Sequence, residues 1–158
     1  MVMAEEKQAI VFVRDEISEL ILLVATEKGA FLYYSDSDRR HWDVNGPHFL
    51  GSVVHHLVLD PRDNKTLLAS VQSRQSGVTI YWSKDFGKTW NPATKPPVFP
   101  QDKHKRKVDH IYYLTPGHDS EGKVWYAGTS PQGLFRSEDG GETWASIDGF
   151  NSNSNWGK

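Results

Sequence analysis

Ser83-Lys84-Asp85-Phe86-Gly87-Lys88-Thr89-Trp90 and Ser137-Glu138-Asp139-Gly140-Gly141-Glu142-Thr143-Trp144 spell one pattern, S-x-D-x-G-x-T-W, twice. A third stretch, Ser35 to Trp42, keeps the first Ser and the final Trp. Trp42 and Trp90 are 48 residues apart, and Trp90 and Trp144 are 54 apart. Recurrence at such intervals means that one supersecondary unit has been copied, and a period of roughly 40–50 residues is that of a four-stranded propeller blade.

The surroundings of the motif repeat with it. Each copy has an apolar run, a break containing Gly, a second apolar run, the motif, and a polar turn. The run pairs are Leu20 to Thr26 with Phe31 to Tyr34, Thr66 to Val71 with Val78 to Trp82, and Val124 to Gly128 with Leu134-Phe135. They are rich in β-branched and aromatic residues and show no helical period, so they read as strands. The motif then reads as the hairpin joining two of them. Asp85 and Asp139 are short acceptors for N–H groups within the turn. Gly87 and Gly141 can supply a positive φ. Ser83 and Ser137 end one strand, and Thr89 and Thr143 open the next at a position suited to β-branching. Trp90 and Trp144 offer a large apolar surface for packing between sheets, as Trp42 would in the degenerate copy.

On these residues the chain resembles the Asp-box, or bacterial neuraminidase repeat, superfamily. Val54 to Asp63 followed by Thr66 to Ser70, and Leu134-Phe135-Arg136-Ser137 running into the last motif, resemble its bacterial sialidase-like, glycosyl hydrolase-like members most. The resemblance implies an all-β fold: a partial propeller of about three four-stranded antiparallel blades, at about residues 9–47, 48–100 and 101–150, with 151–158 as a connector. It also implies that the chain corresponds to the N-terminal part of such a propeller. The superfamily holds receptors and assembly factors as well as enzymes, so the fold does not choose among them.

Bulk properties exclude some partners. The chain has 158 residues, a formal net charge of −2 and no cysteine. That charge gives no global pull toward nucleic acid or an anionic membrane, and no disulfide or thiolate site exists. Leu20 to Ala25, the longest apolar run, is too short to cross a bilayer. Met1 to Gln8 lacks the basic start and apolar stretch of a secretory signal. The expected setting is cytoplasmic. Lys103 to Lys107 is a basic run that reads as a solvated loop, or else as a docking patch for an acidic partner.

Between the motifs, Ala9 to Val13 reads as a strand and Asn45-Gly46-Pro47 as a turn. Asn91 to Lys107 holds four of the eight prolines and reads as an irregular connection. Val53 to Leu59 and Val108 to Leu114 open the second and third blades. Gly149 to Lys158 reads as a connector, and at most one short helical turn is expected. Complete propellers have about four to eight blades, and three do not close a ring. The partner expected first is therefore a second copy, or the missing blades of a longer propeller.

Candidate chemistry is sparse. The resemblance implies, for a sialidase, an arginine cluster, a Tyr nucleophile with a Glu partner and an Asp acid/base. Arg14 precedes Asp15-Glu16, and Arg39, Arg40, Arg62, Arg74, Arg106 and Arg136 stand outside any matching context. Most of the carboxylates sit in turns, and Asp109 is the least explained of them, since it begins a strand expected to line the central channel. It is the one catalytic candidate, against a structural or solvated role. His55-His56 and His110 sit at comparable places in the opening strands, which makes His56 and His110 channel-facing candidates. Without tight ligand spacing they carry no metal assignment, and no cofactor is implied. The reading is a non-catalytic, sialidase-like module for protein or glycan recognition, its ring completed by self-association or further blades. The alternative is a glycoside hydrolase of the same class.

Overall fold

The structure, a computed structural model, describes residues 20–100 and 106–153. The strand expected at Ala9 to Val13 and most of the basic run Lys103 to Lys107 lie outside them. Three antiparallel sheets follow one another along the chain. The first contains β1 (Leu20–Thr26), β2 (Gly29–Ser35) and β3 (Trp42–His48). The second contains β4 (Val53–Leu59), β5 (Leu67–Ser73), β6 (Gly77–Ser83) and β7 (Asn91–Pro92). The third contains β8 (His110–Pro116), β9 (Trp125–Ser130), β10 (Gly133–Ser137) and β11 (Ala145–Ser146). Strand order within each sheet is chain order, and the first strands β1, β4 and β8 are neighbours in space. The sheets are thus leaves set around the line where β1, β4 and β8 meet. The chain is a partial β-propeller.

Alternation along the strands builds two cores, one per seam. Ala30, Leu32 and Tyr34 of the first sheet pack with Val54, Leu57, Leu67, Ala69 and Val71 of the second. Leu68 and Ile80, on the opposite face of the second sheet, pack with Ile111, Leu114, Trp125, Ala127, Phe135 and Trp144 of the third. A period of two sends odd and even residues to opposite faces, so β5 feeds both seams with the run Leu67-Leu68-Ala69. Burying a side chain such as Phe135 is worth about 2–3 kcal/mol.

Both complete motifs form the same hydrogen-bonded hairpin. Ser83 Oγ receives the Gly87 N–H at 2.8 Å and donates to Asp85 Oδ1 at 2.7 Å. Asp85 accepts from the Thr89 N–H at 2.9 Å and from Thr89 Oγ1 at 2.6 Å. In the other copy Gly141, Ser137, Asp139 and Thr143 repeat these bonds at 2.9, 2.8, 2.9 and 2.5 Å. Burial alone would raise the two Asp carboxyls, but these hydrogen bonds outweigh it and hold both below 3.8. Each hairpin also lies against the preceding sheet. A methyl group on Gly87 would touch Leu32, and one on Gly141 would press on Leu68. The motif therefore fastens a leaf to its predecessor as well as joining two strands.

The degenerate copy keeps part of this geometry with other residues. Arg39, at the motif's glycine place, has φ +56°, and Asp36 accepts the Arg40 N–H at 3.3 Å. Arg39→Gly is expected to stabilise the protein by about 0.5–1 kcal/mol, because glycine tolerates positive φ; a raised urea midpoint would show it. Trp42 does not pack between sheets as expected: it is 42% exposed. The face its hairpin would fasten to another leaf has no preceding sheet among the described residues.

Four other expectations are corrected. Asn45-Gly46-Pro47 lies inside β3 rather than in a turn. β3 is the outer strand of its sheet, where a proline leaves no ladder bond unmade. The proline-rich connection is not merely irregular: Asn91–Pro92 forms β7, and Ala93, Phe99 and Val108 enter the core. The Asn/Ser-rich tail begins with α1 (Asp148–Asn151), and a 3-10 turn at Asp119–Glu121 makes a second helical turn. Buried Asn151 explains the first. Its side chain bonds the Leu134 N–H and carbonyl, both at 2.8 Å, and extends the edge of β10 beyond β11.

Candidate functional site

The hairpins and the β4–β5 and β8–β9 connections occupy one end of the leaves. The β5–β6 and β9–β10 turns and the starts of β4 and β8 occupy the other. At that second end β4 and β8 each carry a bulge, at His55 between Val54 and His56 and at Tyr112 between Ile111 and Tyr113. A bulge re-aims the side chain it displaces. Here both bulges put two ring-bearing residues in succession on the innermost strands: His55-His56 and Tyr112-Tyr113.

The register corrects one sequence equivalence. Tyr112-Tyr113, and not His110, occupy in β8 the place of His55-His56 in β4; His110 corresponds to Val53. The rings nevertheless meet across the seam. His55 is edge-on to His110 at 5.0 Å and to Tyr112 at 5.4 Å between centroids. His110 stacks on Tyr112 at 5.2 Å, and His56 stacks on Tyr113 at 5.0 Å. Tyr112 and Tyr113 are 54% and 60% exposed, so the His55–His110–Tyr112 group and the His56–Tyr113 pair each end in an accessible phenol.

A cavity of about 440 Å³ adjoins this network. It lies between the β5–β6 turn and the connection from β7 to β8. Gln72, Ser73 and Ser76 line one side, and Pro97, Val98, Lys107 and Asp109 line another. Gln72 Oε1 is 3.0 Å from His55 Nε2 and so joins the cavity to the rings. Asp109 is exposed, donates its N–H to the Ser130 carbonyl at 2.8 Å, and is the only carboxylate among the described lining residues. No group of three or more His, Cys, Asp or Glu side chains among the described residues is placed to hold a metal ion.

His56 and His48 face inward. His56 Nδ1 accepts the Leu114 N–H at 3.1 Å, and His48 Nδ1 accepts Trp90 Nε1–H at 3.3 Å. Burial holds both rings below 6.5, and both bonds need the neutral ring. The unfolded chain then takes up protons at higher pH than the folded one. Stability is expected to be full above about pH 6.5 and to fall as pH drops below it, with a further loss below 3.8 as Asp85 and Asp139 protonate. Urea midpoints at pH 8 and pH 5 will show the first step, and His56→Gln should shrink it.

The chain is similar to known glycoside hydrolases. No family model matches it. A xyloglucanase from Paenibacillus sp is 32% identical over 112 residues, 62% of this chain and 10% of that protein. The crystal structure of the GH74 xyloglucanase from Xanthomonas campestris superposes with a TM-score of 0.54 at 18% identity, over 74% of this chain and 19% of that one. The chain thus spans about a tenth of the curated relative it matches. The structural likeness shows the fold, a β-propeller similar to glycoside-hydrolase propellers. Sequence reasoning pointed to sialidase-like, glycosyl hydrolase-like members of the Asp-box superfamily; the similar proteins found are xyloglucanases.

Proposed function

We propose that this chain is a recognition wedge of an Asp-box propeller, and that it binds a neutral β-linked glycan across the end opposite its motif hairpins. The hairpin geometry supports the Asp-box assignment, and the names of the similar proteins point to xyloglucan as the first glycan to try. One observation carries the reading: exposed Tyr112 continues through His110 and His55 to a cavity of sugar size with amide, hydroxyl, lysine and carboxylate groups. Pockets of roughly 300–1,000 Å³ with a few converging polar groups hold small ligands, and aromatic faces supply apolar contact to sugar rings.

Recognition without hydrolysis fits the single carboxylate. Glycoside hydrolysis uses two carboxyl groups flanking the bond, and among the described lining residues Asp109 has no second one beside it. Calorimetric titration with xyloglucan oligosaccharides should show binding that Tyr112→Ala weakens about tenfold, in line with the loss of a buried aromatic contact. No binding, or binding indifferent to Tyr112, would refute the proposal. The similar xyloglucanases favour the second reading, a glycoside hydrolase completed by further blades. Release of reducing ends from xyloglucan or a fluorogenic glycoside, abolished by Asp109→Asn, would establish that reading instead. The cytoplasmic setting and the completion of the ring by other blades belong to the same proposal.

A further inference from the structure

Pairing register sorts each sheet into rows that share a face, because directly paired residues point the same way. In the second sheet Leu57–Ala69–Tyr81 faces the first sheet, and His56–Ser70–Ile80 faces the third. In the third sheet Leu114–Ala127–Phe135 receives the second. Each seam therefore joins the leaving face of one leaf to the entering face of the next.

Two faces are left without a leaf among the described residues. The entering face of the first sheet carries the row Leu22–Tyr33–Val44, with Val24–Phe31 beside it. Leu22 and Val44 are exposed and flank Tyr33, so the row is one contiguous apolar strip. The leaving face of the third sheet carries the row Tyr113–Gly128–Leu134, with Thr115–Tyr126–Arg136 beside it. The two rows have opposite relief. Tyr33 is the largest member at the centre of one, and Gly128 leaves a notch at the centre of the other. At Gly128 an added Cβ would meet no atom nearer than 3.8 Å, and that atom belongs to Tyr113 of the same row.

We infer that these faces meet between two copies of the chain, the leaving face of each on the entering face of the other, with Tyr33 seated over Gly128. The contact is head-to-tail, so it closes only if rotation returns to the start. Two copies of three leaves give six, within the span of about four to eight blades that closed propellers use. The occupant is a second copy because this chain's own two open rows match in relief, Tyr33 against the notch at Gly128, and the contact follows the order of both internal seams, leaving face onto entering face. This rests on the reading that the wedge is completed by other blades, and it is independent of glycan binding.

Sedimentation velocity of the full chain tests it. The expected result is a species of twice the 17.9 kDa chain mass. Leu22→Asp or Tyr113→Asp should each reduce it to the single chain while leaving the circular dichroism spectrum unchanged. A mixture of the two variants should recover a dimer, weaker than the parent, because one of its two seams is intact. A single chain at every concentration overturns the inference. So does a dimer that survives either substitution, the absence of recovery on mixing, or an open series of larger species. Gly128→Leu, which fills the notch without adding charge, should also dissociate the pair; a dimer unaffected by it would defeat the seating of Tyr33. Loss of xyloglucan binding with the dimer intact would count against the glycan reading alone.

Discussion

Gly141→Ala should cost about 2–4 kcal/mol of unfolding free energy, while Gly140→Ala, one residue earlier, should cost about 1–2. Both glycines have positive φ, +97° and +85°, so both substitutions strain the backbone. They differ in what the new methyl group meets. At Gly140 nothing lies within 4 Å, whereas at Gly141 the methyl group would stand 2.9 Å from Leu68 Cδ2 and 3.3 Å from Leu68 Cγ. Leu68 belongs to the preceding sheet, is fully buried and packs beside Ile80, so it has little room to withdraw. Urea unfolding of the pair measures the difference. Equal losses would mean that the hairpin does not bear on the second leaf, and that the motif serves only its own two strands.

The second large effect concerns Arg62, which the sequence offered only as an arginine outside any catalytic context. Its side chain is 8% exposed and that of Asp60 is 4% exposed. Arg62 donates Nε–H and Nη2–H to the two Asp60 oxygens, both at 2.8 Å. Through Nη1–H it reaches the Val124 carbonyl at 3.2 Å and the Glu121 carbonyl at 3.3 Å, across the seam. Its guanidinium also lies 5.5 Å from the Trp125 ring. Arg62→Ala should therefore destabilise by about 3–5 kcal/mol, because it leaves a carboxylate buried without its cation. Arg62→Lys should recover little, since an ammonium group cannot match the planar fork. The double variant Asp60→Asn with Arg62→Met should lose less than Arg62→Ala, because no unpaired charge remains. Denaturation of the three variants decides it; a double variant as damaged as Arg62→Ala would move the cost from charge to packing.

The architecture was readable because its marks are local. A motif whose Ser, Asp, Gly and Thr each satisfy a bond within eight residues leaves those residue types in the sequence, and its spacing counts the leaves. What failed to show depends on partners distant in the chain. Trp42 ends a motif copy like Trp90 and Trp144, but its burial depends on a neighbouring leaf that eight residues cannot announce. Pro47 reads as a turn until its strand is known to be outermost. Asp60 reads as a turn residue until Arg62 is seen crossing to Val124.

The ring network is an intermediate case. Val54-His55-His56-Leu57 and Ile111-Tyr112-Tyr113-Leu114 share a signature that was available: two bulky polar rings in succession between aliphatic residues, where a plain strand would alternate. A break in alternation at the same place in two repeats points to a bulge. Aligning the histidines by type, His110 with His55-His56, hid it. Aligning the flanking aliphatic residues exposes it. The role of Asp109 stays unread at sequence level because a carboxylate's chemistry depends on what else lines its cavity.

The long-range hydrogen bonds of Arg62, the fit of Gly141 on Leu68 and the bond from Leu114 to His56 all join consecutive leaves. None of them connects the first leaf to the third. Damage should accordingly travel no further than the adjoining seam, as it does in linear arrays where each unit touches only its neighbours. Changes placed at the two seams should sum arithmetically, so a pair of modest lesions would loosen the fan joint by joint instead of collapsing it at once.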